Sequence, residues 1–317
     1  MCGLYFRPKI PPARYRRKTD IENAYKNYLF EFSRLSILPF LGPLLRRKQD
    51  RESQKKVIKY TKKGVDMAVT SLRKNIGNWQ ERVDLAATFR WTARLNLHEG
   101  VANHFSFAVN ERGTQFLMNP NQMHFARIKA SDLIELDAEN PKTAEGPNAP
   151  DPTAWSLHGA IHRHCPHARC VMHVHSMHAT VLASLADSRL QPIDQNTAIF
   201  FNRFVVDENY GGLAFEEEGE RCAALFQDPK KTVMIMGNHG VMVIGKTIAE
   251  TFNRLYYFER AAETYIRALQ TGRPLRILSD EIAEKTAQEI EDYPEQATRH
   301  LAELKAILDD ESSDYSQ

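Results

Sequence analysis

The chain has 317 residues, 42% hydrophobic and 26% charged, with a formal net charge of +2, a composition that allows a sizeable globular core. No spanning helix is expected, because the best apolar run, Leu35 to Leu45, is short and carries two prolines and a glycine; the start MCGLYFRPKI has no apolar signal core either. Cys2, Cys165, Cys170 and Cys222 are too few and too irregularly spaced for a disulfide framework, so the expected location is the reducing cytoplasm.

The small net charge hides an asymmetry. Residues 1–74 hold 19 Lys and Arg against 6 Asp and Glu, whereas residues 75–317 hold 23 against 34. The reading is a basic helical N-terminal extension over 1–76, with helices at 18–35 and 50–75, then a central domain over 77–275 and a charged helical C-terminal tail over 276–317. The basic extension lacks Gly/aromatic RNA-binding patterns and zinc-finger spacing, so no nucleic-acid partner is expected.

Within the central domain, Val83, Leu85, Ala86, Phe89, Trp91 and Leu95 recur at helical spacing and predict a helix from Glu81 to Asn96. Strands at Phe105–Val109 and Thr114–Met118 flank a hairpin turn at Asn110 to Gly113, and Leu133–Leu136 predicts a third strand. A polar loop over 138–151 leads into a helix that starts near Pro152 or Thr153 and runs to His164. A strand over Arg169–His175, a helix over Met177–Leu185, a strand over Ala198–Val206 and a helix over Glu216–Phe226 follow. An apolar strand at Thr232–Met236 and a long helix from Ile248 to Leu269, stopped by Gly272 and Pro274, complete the domain.

His173 and His175 stand two apart on a strand, where alternate side chains share a face, so one metal ion can reach both. Catalytic zinc sites take three protein ligands and keep a position open for substrate or water. His239, just after the strand TVMIMG in the turn Gly237-Asn-His-Gly240, is the third candidate. The cluster His162-Arg-His164-Cys165-Pro-His167 reads as structural, because Pro166 ends the helix and makes the side chains diverge.

The order of these motifs resembles the class II aldolase/adducin family from Glu81 to Gly272. The matching segments are Asn103-His-Phe-Ser106, Phe116-Leu-Met-Asn-Pro120, Ile128-Lys-Ala-Ser-Asp-Leu133, Trp155-Ser-Leu-His158, His173-Val-His-Ser176 and Asn238-His-Gly240 with Gly245-Lys-Thr247. The resemblance implies an α/β fold with a central mixed, mainly antiparallel sheet between helices. It implies a homotetramer with sites at subunit interfaces, and one divalent ion, zinc before manganese or iron, on His173, His175 and His239. Substrate contacts from Asn103, Ser106, Asn119 and Thr153 follow from the same likeness. The implied chemistry passes through an enolate that a cation stabilises.

The chain departs from the pattern in two places. Where the sugar-phosphate aldolases open a helix with Pro-Ser-Ser-Glu, it has Asp151-Pro-Thr-Ala154, so the carboxylate acid/base is missing. Asn119-Pro-Asn-Gln122 stands where the family has a glycine-containing phosphate loop. These departures favour decarboxylation, ahead of aldol cleavage, of a non-phosphorylated hydroxy, keto or aromatic carboxylic acid. His158, then His104, becomes the candidate proton donor. The alternatives are a non-catalytic adducin-like scaffold and a three-histidine Fe(II) oxygenase.

Overall fold

A computed structural model of the chain describes residues 77–209, 216–311 and 314–317; the N-terminal extension read from the sequence lies outside these residues. The first element of the described residues is α1 (Trp79–Arg94), followed by β1 (His104–Ala108), β2 (Gln115–Met118), β3 (Ile134–Asp137) and α2 (Pro152–His164). Then come β4 (Cys170–Val174), α3 (Met177–Ala183), α4 (Gln195–Ala198), β5 (Phe204–Asp207), α5 (Glu216–Leu225), β6 (Val233–Met236) and β7 (Gly240–Gly245). Three helices close the chain: α6 (Ile248–Gln270), α7 (Asp280–Glu291) and α8 (Glu295–Asp310).

The strands form one sheet in the order β3-β2-β1-β4-β7-β6-β5, antiparallel throughout except for the β5/β6 pair. Period-two alternation sorts its side chains cleanly between the faces. Cys170, Met172, Val174, Val241 and Val243 join a core with residues of α1, α3, α6 and α8. On the opposite face, Val171, Met242 and Ile244 pack under Leu157, Ala160 and Ile161 of α2 and Cys222 and Ala223 of α5. β1 and β4 pair with His104 opposite His173, so both imidazoles stand on the α2 face.

Most predicted elements appear within a residue or two of their expected ends. The strand expected over Ala198–Val206 is corrected: the Asp194 carboxylate accepts from Thr197 N while the Thr197 hydroxyl accepts from Asp194 N. That capping box starts a short helix, and the strand begins only at Phe204. β7 had no counterpart in the sequence reading. The segment read as a charged tail supplies core: Leu301, Leu304 and Leu308 of α8 are buried, and Leu304 O accepts from Trp91 Nε1 at 2.8 Å.

Candidate active site

His173 lies at the end of β4 and His175 just beyond it, while His239 sits in the hairpin between β6 and β7, after Asn238 turns with φ 58°. Antiparallel pairing of β4 with β7 and of β7 with β6 brings this hairpin beside the end of β4. The result is convergence: one ring nitrogen from each histidine lies within 4.8 Å of the others. The three ring centroids are 4.7–4.8 Å apart.

The donor set suits a divalent cation. His173 Nδ1 donates to Val241 O at 3.0 Å, which leaves Nε2 as its ligand nitrogen, and that nitrogen faces His175 Nε2 at 2.9 Å. Burial, helped by the neighbouring His104, holds His173 well below the usual imidazole range, and burial also lowers His175. Burial, with His175 second, pulls His239 down to about 4. Neutral imidazoles are the form a metal requires.

A second imidazole system adjoins the first. The His104 ring lies 4.9 Å from that of His173. His104 Nδ1 meets His158 Nε2 at 2.7 Å, His158 Nδ1 meets Ser106 Oγ at 2.5 Å, and Ser106 Oγ meets His162 Nε2 at 2.7 Å. His158, the first choice as proton donor, is fully buried with both nitrogens engaged, so it stands behind His104. His162 was read as part of a structural cluster and of the family-like segment Ile161-His162, with no role of its own; nearby His164 turns away to Glu220.

The residues read as substrate contacts divide into two groups. Asn103 Oδ1 accepts from Glu99 N at 2.6 Å, while its Nδ2, on a residue 2% exposed, has no acceptor among the described residues and can serve a ligand oxygen. The Asn119 amide is taken up by Phe105 N, Asn103 O and Pro120 O, bracing the backbone. The Ser106 hydroxyl is buried between two histidines, and the Thr153 hydroxyl turns back onto Asp151, which caps α2. These three hydroxyl and amide groups are engaged by the protein in this structure. Ala154 is fully buried among Ala108, Phe116, Met118 and Leu136, so no carboxylate stands at the start of α2 beyond Asp151.

Two other features lack the makings of this site. Asp207, Glu218 and Cys222 converge, but the Arg221 guanidinium already bridges Asp207 and Glu218. A cavity of about 640 Å³ at the Gly245 end of β7, the end opposite His239, is lined by Arg203 and Arg254, which are paired with glutamates. One functional group was missed by sequence reasoning: Glu259 of α6 is buried and accepts from Ser176 Oγ, His178 N, His178 Nδ1 and Ala179 N, tying down the turn that follows His175.

Comparison with known proteins points the same way. The family described as the class II aldolase and adducin N-terminal domain matches residues 83–266. A Caulobacter vibrioides protein named for aldolase class 2 is 31% identical over 207 residues, 65% of this chain and 79% of that protein. The decarboxylase NovR of Streptomyces niveus is 26% identical over 65% of this chain and 75% of its own length. The crystal structure of an aldolase II superfamily protein from Pseudomonas syringae, 27% identical, superimposes with a TM-score of 0.69 over 78% of this chain and 100% of that one.

Proposed function

Since the chain belongs to the class II aldolase and adducin family and has its fold, we propose that it is a divalent-metal-dependent carbon–carbon lyase, acting as a decarboxylase on a non-phosphorylated hydroxy, keto or aromatic carboxylic acid. The observation that carries this reading is the convergence of His173, His175 and His239 on one point, in neutral form. A scaffold gains little from three converging imidazoles, one buried and two half-buried.

These three residues would hold the ion, zinc first, and a cation there supplies Lewis acidity to a substrate oxygen that gains negative charge. The protein's own groups do the rest. Asn103 Nδ2 offers a hydrogen bond to a substrate oxygen, and it comes from a buried side chain, where such a bond is stronger than in water. His104 stands beside the triad as the acid/base group that exchanges a proton with the substrate, in place of the carboxylate that Ala154 lacks. His158 supports it from behind.

Among the described residues, no helix is long and apolar enough to cross a membrane. The exposed apolar residues Met177 and Val181 on α3 and Leu185 in the turn after it, a stripe that begins two residues after His175, support a homo-oligomer, a tetramer by analogy with the family, with neighbouring subunits covering that stripe. Buried, unpaired Cys165, Cys170 and Cys222 agree with a reducing cytoplasm.

The deciding experiment loads the full chain with zinc and assays a panel of hydroxy, keto and aromatic carboxylic acids for CO₂ release, alongside fuculose and ribulose phosphates. CO₂ release without sugar-phosphate cleavage supports the reading. Efficient sugar-phosphate cleavage refutes it.

A further inference from the structure

The hydrogen bonds behind the triad form an unbroken chain that ends on a backbone carbonyl, and that end assigns every proton in it. Ala168 O can only accept, so His162, 2.8 Å away, is protonated at Nδ1. Burial pulls the His162 pKa down to about 4, so the ring is neutral and its Nε2 accepts from the Ser106 hydroxyl. That hydroxyl has a single proton; toward His158 Nδ1 it must therefore accept, and His158 carries its proton on Nδ1. Burial, reinforced by His104, keeps His158 neutral as well, so its Nε2 accepts from His104 Nδ1.

We propose that Ser106 and His162 are positioning residues which, through His158, lock His104 as the Nδ1–H tautomer and leave its Nε2 lone pair as a proton acceptor beside the metal triad. The catalytic meaning rests on the lyase reading above; the lock itself rests on the hydrogen-bond chain. The fold places the parts without strain. Alternation along β1 puts His104 and Ser106 on the face that carries Val171 and His173, and the four-residue spacing of His158 and His162 on α2 presents both rings to that face. A neutral histidine in water exchanges between its two N–H forms, whereas His104, only 8% exposed, has one nitrogen committed. An acceptor at this position suits a residue that takes up a proton before giving one.

The test is made on the full chain, with ¹⁵N-labelled histidine and one equivalent of zinc, by NMR correlations that identify which ring nitrogen carries hydrogen. The wild type should show His104, His158 and His162 protonated at Nδ1 alone. Ser106→Ala should return His104 to a mixture of tautomers and lower kcat roughly tenfold or more, with KM and zinc content unchanged. Ser106→Thr, which keeps the hydroxyl, should restore both. A wild-type His104 protonated at Nε2, or a His104 tautomer unaltered in Ser106→Ala, overturns the proposal. Because the tautomers are read without turnover, a protein inactive on every substrate would remove the lyase reading while the wild-type spectrum still decides the lock.

Discussion

His104 and His173 face each other across the β1/β4 pair, in register and with ring centroids 4.9 Å apart, so the proposed acid/base group and a metal ligand are held by one backbone ladder. The consequence is a separation of roles. Replacing His104 with alanine should leave the metal bound and lower turnover by roughly 10²–10⁴-fold, the usual worth of a general acid or base. Metal content and kcat measured on one preparation check this; loss of metal in the variant would show that His104 is a ligand.

Buried neutral histidines make stability depend on pH in a definite direction. Burial lowers His104 from 6.5 to about 3 and His162 from 6.5 to about 4. Below pH 6.5 the unfolded chain therefore binds protons that the folded chain refuses, and stability falls as pH drops from 6.5 toward the folded values, by up to about 1.4 kcal/mol per pH unit for each group. Urea unfolding of zinc-free protein at pH values across this window measures it. A flat profile would contradict the neutral assignment.

Gly240 ties the β7 hairpin to a ligand. A Cβ there would lie 2.6 Å from Val174 O and 3.0 Å from His175 Cδ2, so Gly240→Ala must push the backbone or the ring. Metal affinity should fall at least about tenfold, as expected when ligand geometry is disturbed. Gly77→Ala, whose Cβ would meet nothing within 4 Å among the described residues, is the control. Equal zinc affinity in the two variants, measured by competition with a chelator, would show that the approach is not tight.

The legible part of this molecule is local. His173 and His175 could be paired on one face because strand alternation needs no knowledge of neighbours, and α2 and α6 carried their own caps at Asp151 and Thr247. What long-range pairing decides was hidden. Ser106 read as a ligand contact and His162 as part of a structural cluster, since only the β1/β4 register and the packing of α2 bring them together. β7, at six residues the longest strand of the sheet, escaped notice although Val241–Ile244 is wholly apolar; its pairing with β4 and β6 is what reveals it. The C-terminal segment looked like a charged tail because charged residues surround the Leu301, Leu304 and Leu308 stripe of α8, although that stripe has helical spacing.

That segment gives a further test. Leu301, Leu304 and Leu308 are buried, and each such side chain is worth about 1.5–3 kcal/mol. Deleting residues 276–317 should therefore destabilise the domain by several kcal/mol, read as a lower denaturant midpoint or as insoluble protein. An unchanged midpoint would mean that α8 is dispensable to the core.

Metal content measured on the full chain after zinc loading and desalting, for the wild type and for His173→Ala, His175→Ala and His239→Ala, tests the central claim most directly. One equivalent in the wild type and none in the variants, with circular dichroism unchanged, is the predicted result; stoichiometric zinc retained by His239→Ala, or a wild type that holds none, would contradict it.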